Sequence, residues 1–358
     1  MLLLESESKE MESDMHILET EKLQIGMTLG ENIYRNEQLV ISEGVILNSR
    51  HIQMLKRMSI VQVKVLEELS VKKEFPVKKE ISEKYKSSVE SFKKICYGVT
   101  IGNFVVYDEV KDCLDPLIQE LETKPEMALK LWQIYAADFY TYEHSVKVCM
   151  LSILLAKWMN KPQVFIDEIG KVGLLHDIGK CNIPNEILNK PDVLTEEEFS
   201  VMKTHSTLGY VLLSSTKELG RDILKGVLHH HERFDGTGYP AKLSGKSIPE
   251  YARIVSVVDV FDAMTSNRIY REKMNPYKVF EIMSDGSSGA LDPDISNFFL
   301  DRIKRNYLGE LVLLNSGEVA KIHNVESEMH HRPIIELNGE IVDLKTNQTI
   351  EIKSLFIN

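Results

Sequence analysis

Six of the chain's 11 histidines fall between residues 144 and 231: His144, His176, His205, His229, His230 and His231. His176 is followed directly by Asp177 in the run GLLHDIGK, and Asp259 stands in the apolar run VSVVDVFDA. Neutral imidazole and carboxylate are the ligand set of iron, manganese, zinc or nickel, and no cysteine pair is spaced for a structural zinc site. His229 cannot share a helical face with both of its neighbours and is read as a bystander. That leaves His144, His176, Asp177, His205, His230, His231 and Asp259. Seven ligands are too many for one tetrahedral ion. They suit two ions bridged by a carboxylate and a hydroxide, the arrangement of two-metal phosphoester hydrolysis. A carboxylate in a run as apolar as that around Asp259 is costly to bury unless it meets a cation. Asp262, three residues on, is read as structural, pairing with Arg268 or capping locally. Gly179 is expected to supply a sharp helix exit that turns His176 and Asp177 toward one cavity.

These residues need helices to carry them. Apolar side chains recur at three- and four-residue spacing over 142–159, 162–177, 195–214, 217–231 and 249–265, so residues 118–308 are expected to form a helical bundle. Thr195 followed by Glu196, Glu197 and Glu198 marks a capping box. Pro162 and Pro249 suit first helical turns. The fold class expected is mainly α, with a small α+β module before the bundle and a small β module after it. Residues 1–17 read as a flexible tail. The module at 18–66 carries short strand signals at 23–27, 38–41 and 60–65 around a helix at 49–58. Residues 67–117 read as a linker. Its stretch 71–94 holds eight lysines and four glutamates, while Ile81, Tyr85, Val89 and Phe92 make a helical stripe. Such a stripe packs on its own domain or pairs with a second copy, giving a homodimer. From 309 to 358 come five short strands at 310–314, 318–322, 333–337, 340–344 and 349–352, with turns such as Asn338-Gly339.

Forty-three basic and 54 acidic residues give a net charge of −11. A surface so acidic repels DNA and RNA polymers. No apolar run approaches the length of a membrane span, and the first residues lack the pattern of a signal peptide. Cys96, Cys113, Cys149 and Cys181 lie far apart and read as buried free thiols of a reducing cytoplasm.

The order of motifs resembles the HD-GYP subgroup of the HD phosphohydrolase superfamily. It runs from His144 through the HDIGK that begins at His176, then His205, His230-His231-Glu232, Asp235-Gly236-Thr237-Gly238-Tyr239-Pro240 and Asp259 to Arg268-Ile269-Tyr270-Arg271. The resemblance implies a bacterial phosphodiesterase that opens cyclic di-GMP to linear pGpG, with GMP as the alternative end product. It implies two divalent ions, iron first and manganese as the alternative. One ion would be held by His144, His176, Asp177 and Asp259, the other by Asp177, His205, His230 and His231, with a bridging hydroxide attacking phosphorus. Lys180 would contact the scissile phosphate, Arg268 and Arg271 would hold phosphate oxygens, and Tyr239 would line the entrance. The GYP loop is a glycine turn that either shapes that entrance or docks a diguanylate cyclase. Members with a third metal carry a glutamate one turn before the first histidine. Tyr140 stands there, so two ions are expected. The competing expectations are a non-catalytic cyclic-dinucleotide sensor or adaptor, and the same chemistry on cyclic GMP-AMP.

Overall fold

The structure, a computed structural model, describes residues 15–23, 27, 29–35, 38–42, 45, 47, 49–58, 60–66, 83–123, 140–190, 192–266, 274–284, 289–325 and 329–355. The chain divides into two compact units, Met1–Glu80 and Ile81–Asn358.

In the first unit β1 (Met15–Glu19) pairs antiparallel with β4 (Gln62–Leu66), and β2 (Ile33–Arg35) pairs with β3 (Gln38–Ile41). Helix α1 (Ser49–Arg57) completes it. Leu29, Leu47, Leu55 and Val63 are buried at its centre. The expected α+β module is present, but its first strand begins at Met15, inside the stretch read as tail. The expected strand at 23–27 falls partly outside the described residues.

The second unit opens with α2 (Glu83–Thr100) and α3 (Tyr107–Thr123), and these correct the reading of 67–117 as a linker. Tyr85, Val89 and Phe92 are buried in the same core as the helices downstream. The helix expected from this stripe is present, and Tyr85, Val89 and Phe92 are covered by their own domain. That stripe is therefore not open for pairing with a second copy.

Next come α4 (Tyr140–Trp158), α5 (Gln163–Leu175), a 3-10 turn (Ile178–Asn182) and the short α6 (Asn185–Leu188). They are followed by α7 (Glu196–Lys203), α8 (His205–Leu213), α9 (Arg221–His229) and α10 (Glu250–Thr265). Helices α4 and α10 are apolar nearly all round. Val146, Val148, Cys149, Leu151, Ile153 and Leu155 of α4 are buried, as are Ala252, Ile254, Val255, Val257, Val258 and Phe261 of α10. A helix of that kind can only sit inside a bundle. These two therefore carry whatever polar residues they hold into the dry interior. Glu198 and Thr195 cap each other as expected, Glu198 N donating to Thr195 Oγ1 at 3.3 Å and Thr195 N to Glu198 Oε2 at 2.8 Å. The helix expected over 195–214 is broken, however. Thr204 turns its hydroxyl back to the Val201 carbonyl and α8 starts afresh at His205.

After α11 (Pro276–Ser284) and α12 (Pro293–Lys304) the chain forms an antiparallel sheet. It consists of β5 (Leu311–Leu314), β6 (Val319–Asn324), β7 (Ile334–Leu337), β8 (Glu340–Asp343) and β9 (Ile352–Leu355), in the order β8-β7-β6-β5-β9. Its Val312, Leu314, Ile322 and Ile335 join the core of the bundle. Among the described residues no helix is long and apolar enough to cross a membrane.

Candidate metal centre

Five helices converge on one buried place. Helix α4 brings His144 in its first turns, and α5 ends at Leu175 with His176 as its C-cap. Asp177 caps the 3-10 turn that follows. The break before α8 aims His205 at Asp177, and His230 and His231 leave the end of α9. Helix α10 brings Asp259 and Asp262. Gly179 earns its place by close approach rather than by a left-handed exit: a Cβ there would lie 2.0 Å from the His205 carbonyl oxygen. The expected helix exit is thus corrected, and the glycine instead lets the turn lie flat on α8.

The seven candidates form two groups. His144, His176 and Asp259 make one, and Asp177, His205, His230 and His231 the other. His144 Nε2 lies 3.0 Å from Asp259 Oδ1, and His205 Nε2 lies 3.3 Å from His230 Nε2. Asp177 joins them. Its Oδ1 is 3.3 Å from His205 Nε2 and 3.8 Å from His230 Nε2. Its Oδ2 is 3.3 Å from His176 Nε2 and 3.8 Å from His144 Nε2. One carboxylate thus faces each group with one oxygen.

The imidazoles are oriented from behind. Nδ1 of His176 donates to the Gly173 carbonyl at 2.8 Å, that of His205 to Met202 at 2.7 Å, and that of His230 to Val227 at 2.6 Å. Each bond holds the proton on Nδ1 and leaves a lone pair on Nε2 directed into the centre. The Nε2 lone pairs of His205 and His230 face each other, which is repulsive unless a cation lies between them. His176 Nε2 and Asp177 Oδ1 are buried with no hydrogen-bond partner among the described residues. Orphaned acceptors at this depth are costly alone and are the donor atoms a divalent ion takes. The residues fit a divalent metal site.

His144 is held differently. Its Nδ1 donates to Asp262 Oδ2 at 2.7 Å, and Asp262 also accepts from the Ser266 hydroxyl at 3.1 Å. Sequence reasoning left Asp262 as a structural residue; the structure makes it the carboxylate that orients a candidate ligand. The i, i+3 spacing of Asp259 and Asp262 on one buried helix was the available signal. Burial alone would push the His144 imidazole down, but Asp259 and Asp262 raise it to about 9. His231 goes the other way, pushed by burial down to about 3. His230 also falls well below its ordinary value, through burial and the neighbouring imidazoles. Burial would raise Asp177, but Lys180 and His176 hold it well below the usual carboxylate range.

Around this centre the GYP loop is built on Glu232. This side chain is 2% exposed. Its Oε1 accepts from Ala241 N at 2.7 Å and its Oε2 from Leu243 N at 3.0 Å. Gly238 lies so close to the chain that a Cβ would stand 2.3 Å from Arg233 N. The loop lays the Tyr239 ring 4.9 Å from the ring of His231. His229 contacts Glu232 at 3.3 Å and joins neither ligand group, as expected. Lys180 pairs with Asp177 Oδ2 at 2.5 Å. Arg268 and Arg271 lie outside the described residues.

Residues 118–295 match the HD domain family. A cyclic di-GMP phosphodiesterase of Pseudomonas aeruginosa is 36% identical over 235 residues, 66% of this chain and 56% of that protein. A 3'3'-cGAMP-specific phosphodiesterase of Vibrio cholerae is 36% identical over 174 residues, 48% of this chain and 40% of that protein. The chain thus spans about half the length of these curated relatives. A solved HDG"Y"P protein from Bdellovibrio bacteriovorus superposes with a TM-score of 0.53 at 17% identity, covering 81% of this chain and all of that one, which shows a shared fold.

Proposed function

We propose an activity from one premise: this chain belongs to the HD domain family, in its HD-GYP subgroup. It is a metal-dependent phosphodiesterase that opens cyclic di-GMP to linear pGpG. The observation that carries the reading is Asp177, whose two oxygens each serve one of two buried ligand groups.

In this reading His144, His176, Asp177 and Asp259 hold one ion, and Asp177, His205, His230 and His231 the other. When bound, two divalent ions supply Lewis acidity toward the phosphate and a nucleophilic water at neutral pH. The protein's residues do the rest. Lys180, 26% exposed in its side chain, swings from Asp177 to a phosphate oxygen. Tyr239 bounds the entrance beside His231. Arg268 and Arg271 bind phosphate oxygens. Asp262 and the three carbonyl-anchored imidazoles keep the ligand atoms pre-aimed, so little reorganisation accompanies the reaction. We assign iron to the centre first and manganese second, since both suit an imidazole and carboxylate set. The four cysteines, all unpaired, support a cytoplasmic setting. The exposed Thr237 and Pro240 of the loop offer a diguanylate cyclase a place to dock, read by co-purification with and without Pro240→Ala.

The test is turnover. Protein purified without air and loaded with iron or manganese linearises cyclic di-GMP. Absence of product with two ions bound per chain overturns the reading. The relative specific for 3'3'-cGAMP supports a second reading, in which that dinucleotide is the better substrate. Initial rates on the two compounds, side by side, decide between them.

A further inference from the structure

A second hollow lies beside the metal centre and shares none of its ligands. A cleft of about 350 Å³ opens between α10, α11, the start of α12 and the chain that follows His231. Val260, Met264 and Met283 line it, together with Phe234, Ile282 and Leu291. None of these residues belongs to either ligand group. The cleft is nonetheless built on the centre's own elements. Val260 follows Asp259 directly on α10. Phe234 N donates to the Ala290 carbonyl at 2.9 Å, which joins the chain after His231 to another wall of the cleft.

The chemistry of the lining is simple. Its two serines give their hydroxyls to the backbone: Ser296 donates to the Met283 carbonyl at 3.4 Å, and Ser284 to that of Phe280. Among the described residues a single charged side chain borders the cleft, the exposed Arg233. Its Nε lies 3.9 Å from Asp235 Oδ1, a long pair. That oxygen already accepts from Thr237 N at 2.9 Å and from Thr237 Oγ1 at 2.6 Å, so Asp235 is engaged with its own loop. A guanidinium at the edge of an otherwise apolar hollow suits a ligand with an apolar body and one carboxylate, which the planar fork of arginine takes in a bidentate pair. Phe234 is the one aromatic ring among the described lining residues, so nothing sandwiches a planar ligand. Aliphatic walls and two adaptable thioethers mould instead to a flexible chain.

We propose that this cleft is a binding site for a medium-chain carboxylate, with the chain against Val260, Met264 and Met283 and the carboxylate on Arg233. The volume sets the length. At about 30 Å³ for each water-sized group, 350 Å³ holds on the order of 12 non-hydrogen atoms, the size of decanoate. Burial of the chain supplies the affinity, and the charge selects an acid over an alcohol of the same length. The inference does not rest on the phosphodiesterase reading, because the hollow is separate from the ligand groups and its readout is binding.

The full-length, manganese-loaded protein is titrated calorimetrically with decanoate. One site per chain is expected, with a Kd on the order of 10–100 µM. Decan-1-ol binds about 10-fold more weakly, because it lacks the charge. Arg233→Gln brings decanoate to the level of decanol and leaves decanol unchanged. Ala290→Phe places a ring in the cleft and removes binding of both, with a melting curve recorded to show that the variant is folded. Excess acetate, which can reach a metal but cannot fill the cleft, leaves the titration unchanged, and so does saturating cyclic di-GMP. Three results overturn the proposal: no saturable binding of decanoate, the same affinity for decanoate in the wild type and Arg233→Gln, or displacement of decanoate by acetate or cyclic di-GMP. Protein that binds decanoate as expected yet never hydrolyses a cyclic dinucleotide sinks the phosphodiesterase reading and leaves this site standing.

Discussion

The two halves of the candidate metal centre use the same kinds of ligand and arrive at opposite electrostatics. Around His144 and His176 the carboxylates dominate, because Asp259 and Asp262 both face His144. That half holds a proton, and His144 keeps it up to about pH 9. Around His205, His230 and His231 three imidazoles crowd a single carboxylate oxygen, and burial drives His231 down to about 3. His230 and His231 are thus held in their neutral form. The difference shows that a ligand list does not fix metal affinity. The balance of charge behind the ligands decides whether a metal must displace a proton or enters an empty set of lone pairs.

Breaking the bridge has the largest effect. Asp177→Ala removes an oxygen from each half, so both ions are lost and turnover falls by at least about 10,000-fold, comparable to loss of a catalytic residue that acts as part of a unit. Metal content by mass spectrometry and product by chromatography check it together. Separating the halves comes next. His144→Ala leaves one ion in the second half, and His230→Ala leaves one in the first, each with turnover down on the order of 1,000-fold. Equal loss of both ions in both variants contradicts two separable halves.

Smaller effects sharpen the contrast. Asp262→Asn keeps a hydrogen-bond acceptor but removes the charge. It weakens the ion of the first half by about 10- to 100-fold and leaves the second unchanged. It also brings His144 down from about 9, so the pH dependence of metal uptake moves with it. In the wild type, metal uptake at pH 7.5 releases the His144 proton, and affinity in the first half rises with pH until about 9; titration in buffers of different ionisation heat reads that proton. Stability of the metal-free fold runs in the opposite direction. The protonated His144 stabilises the metal-free fold below its ordinary value of 6.5, and that contribution is lost as pH rises through about 9. The metal-loaded protein has no such step. Smallest is Glu232→Gln, which loosens the loop bearing Tyr239 and raises KM several-fold at nearly constant kcat.

Much of the centre was legible because metal chemistry restricts residue types. All seven candidate ligands could be named from His176-Asp177, the remaining histidines and one aspartate in an apolar run, and the structure brings all seven together. What stayed hidden depends on backbone paths that no local pattern encodes. The break at Thr204 that aims His205 interrupts a continuous helical periodicity. Gly179 reads as a helix terminator, while its reason is the His205 carbonyl of another helix. Asp262 is identical in type to Asp259, and its neighbour across α4 shows it to be an orienting group rather than a cap. The stripe of Ile81, Tyr85, Val89 and Phe92 announced a helix, but whether it packs on its own domain or on a second copy is decided only by the burial of Tyr85, Val89 and Phe92 in the core.

The most direct test of the two-half centre is a count. Metal-free protein is reconstituted with manganese without air, and bound ions per chain are measured alongside hydrolysis of cyclic di-GMP for the wild type and His144→Ala. The account predicts two ions with turnover in the wild type, and one ion with turnover all but abolished in the variant. A single ion in a fully active wild type, or two ions retained by the variant, contradicts it.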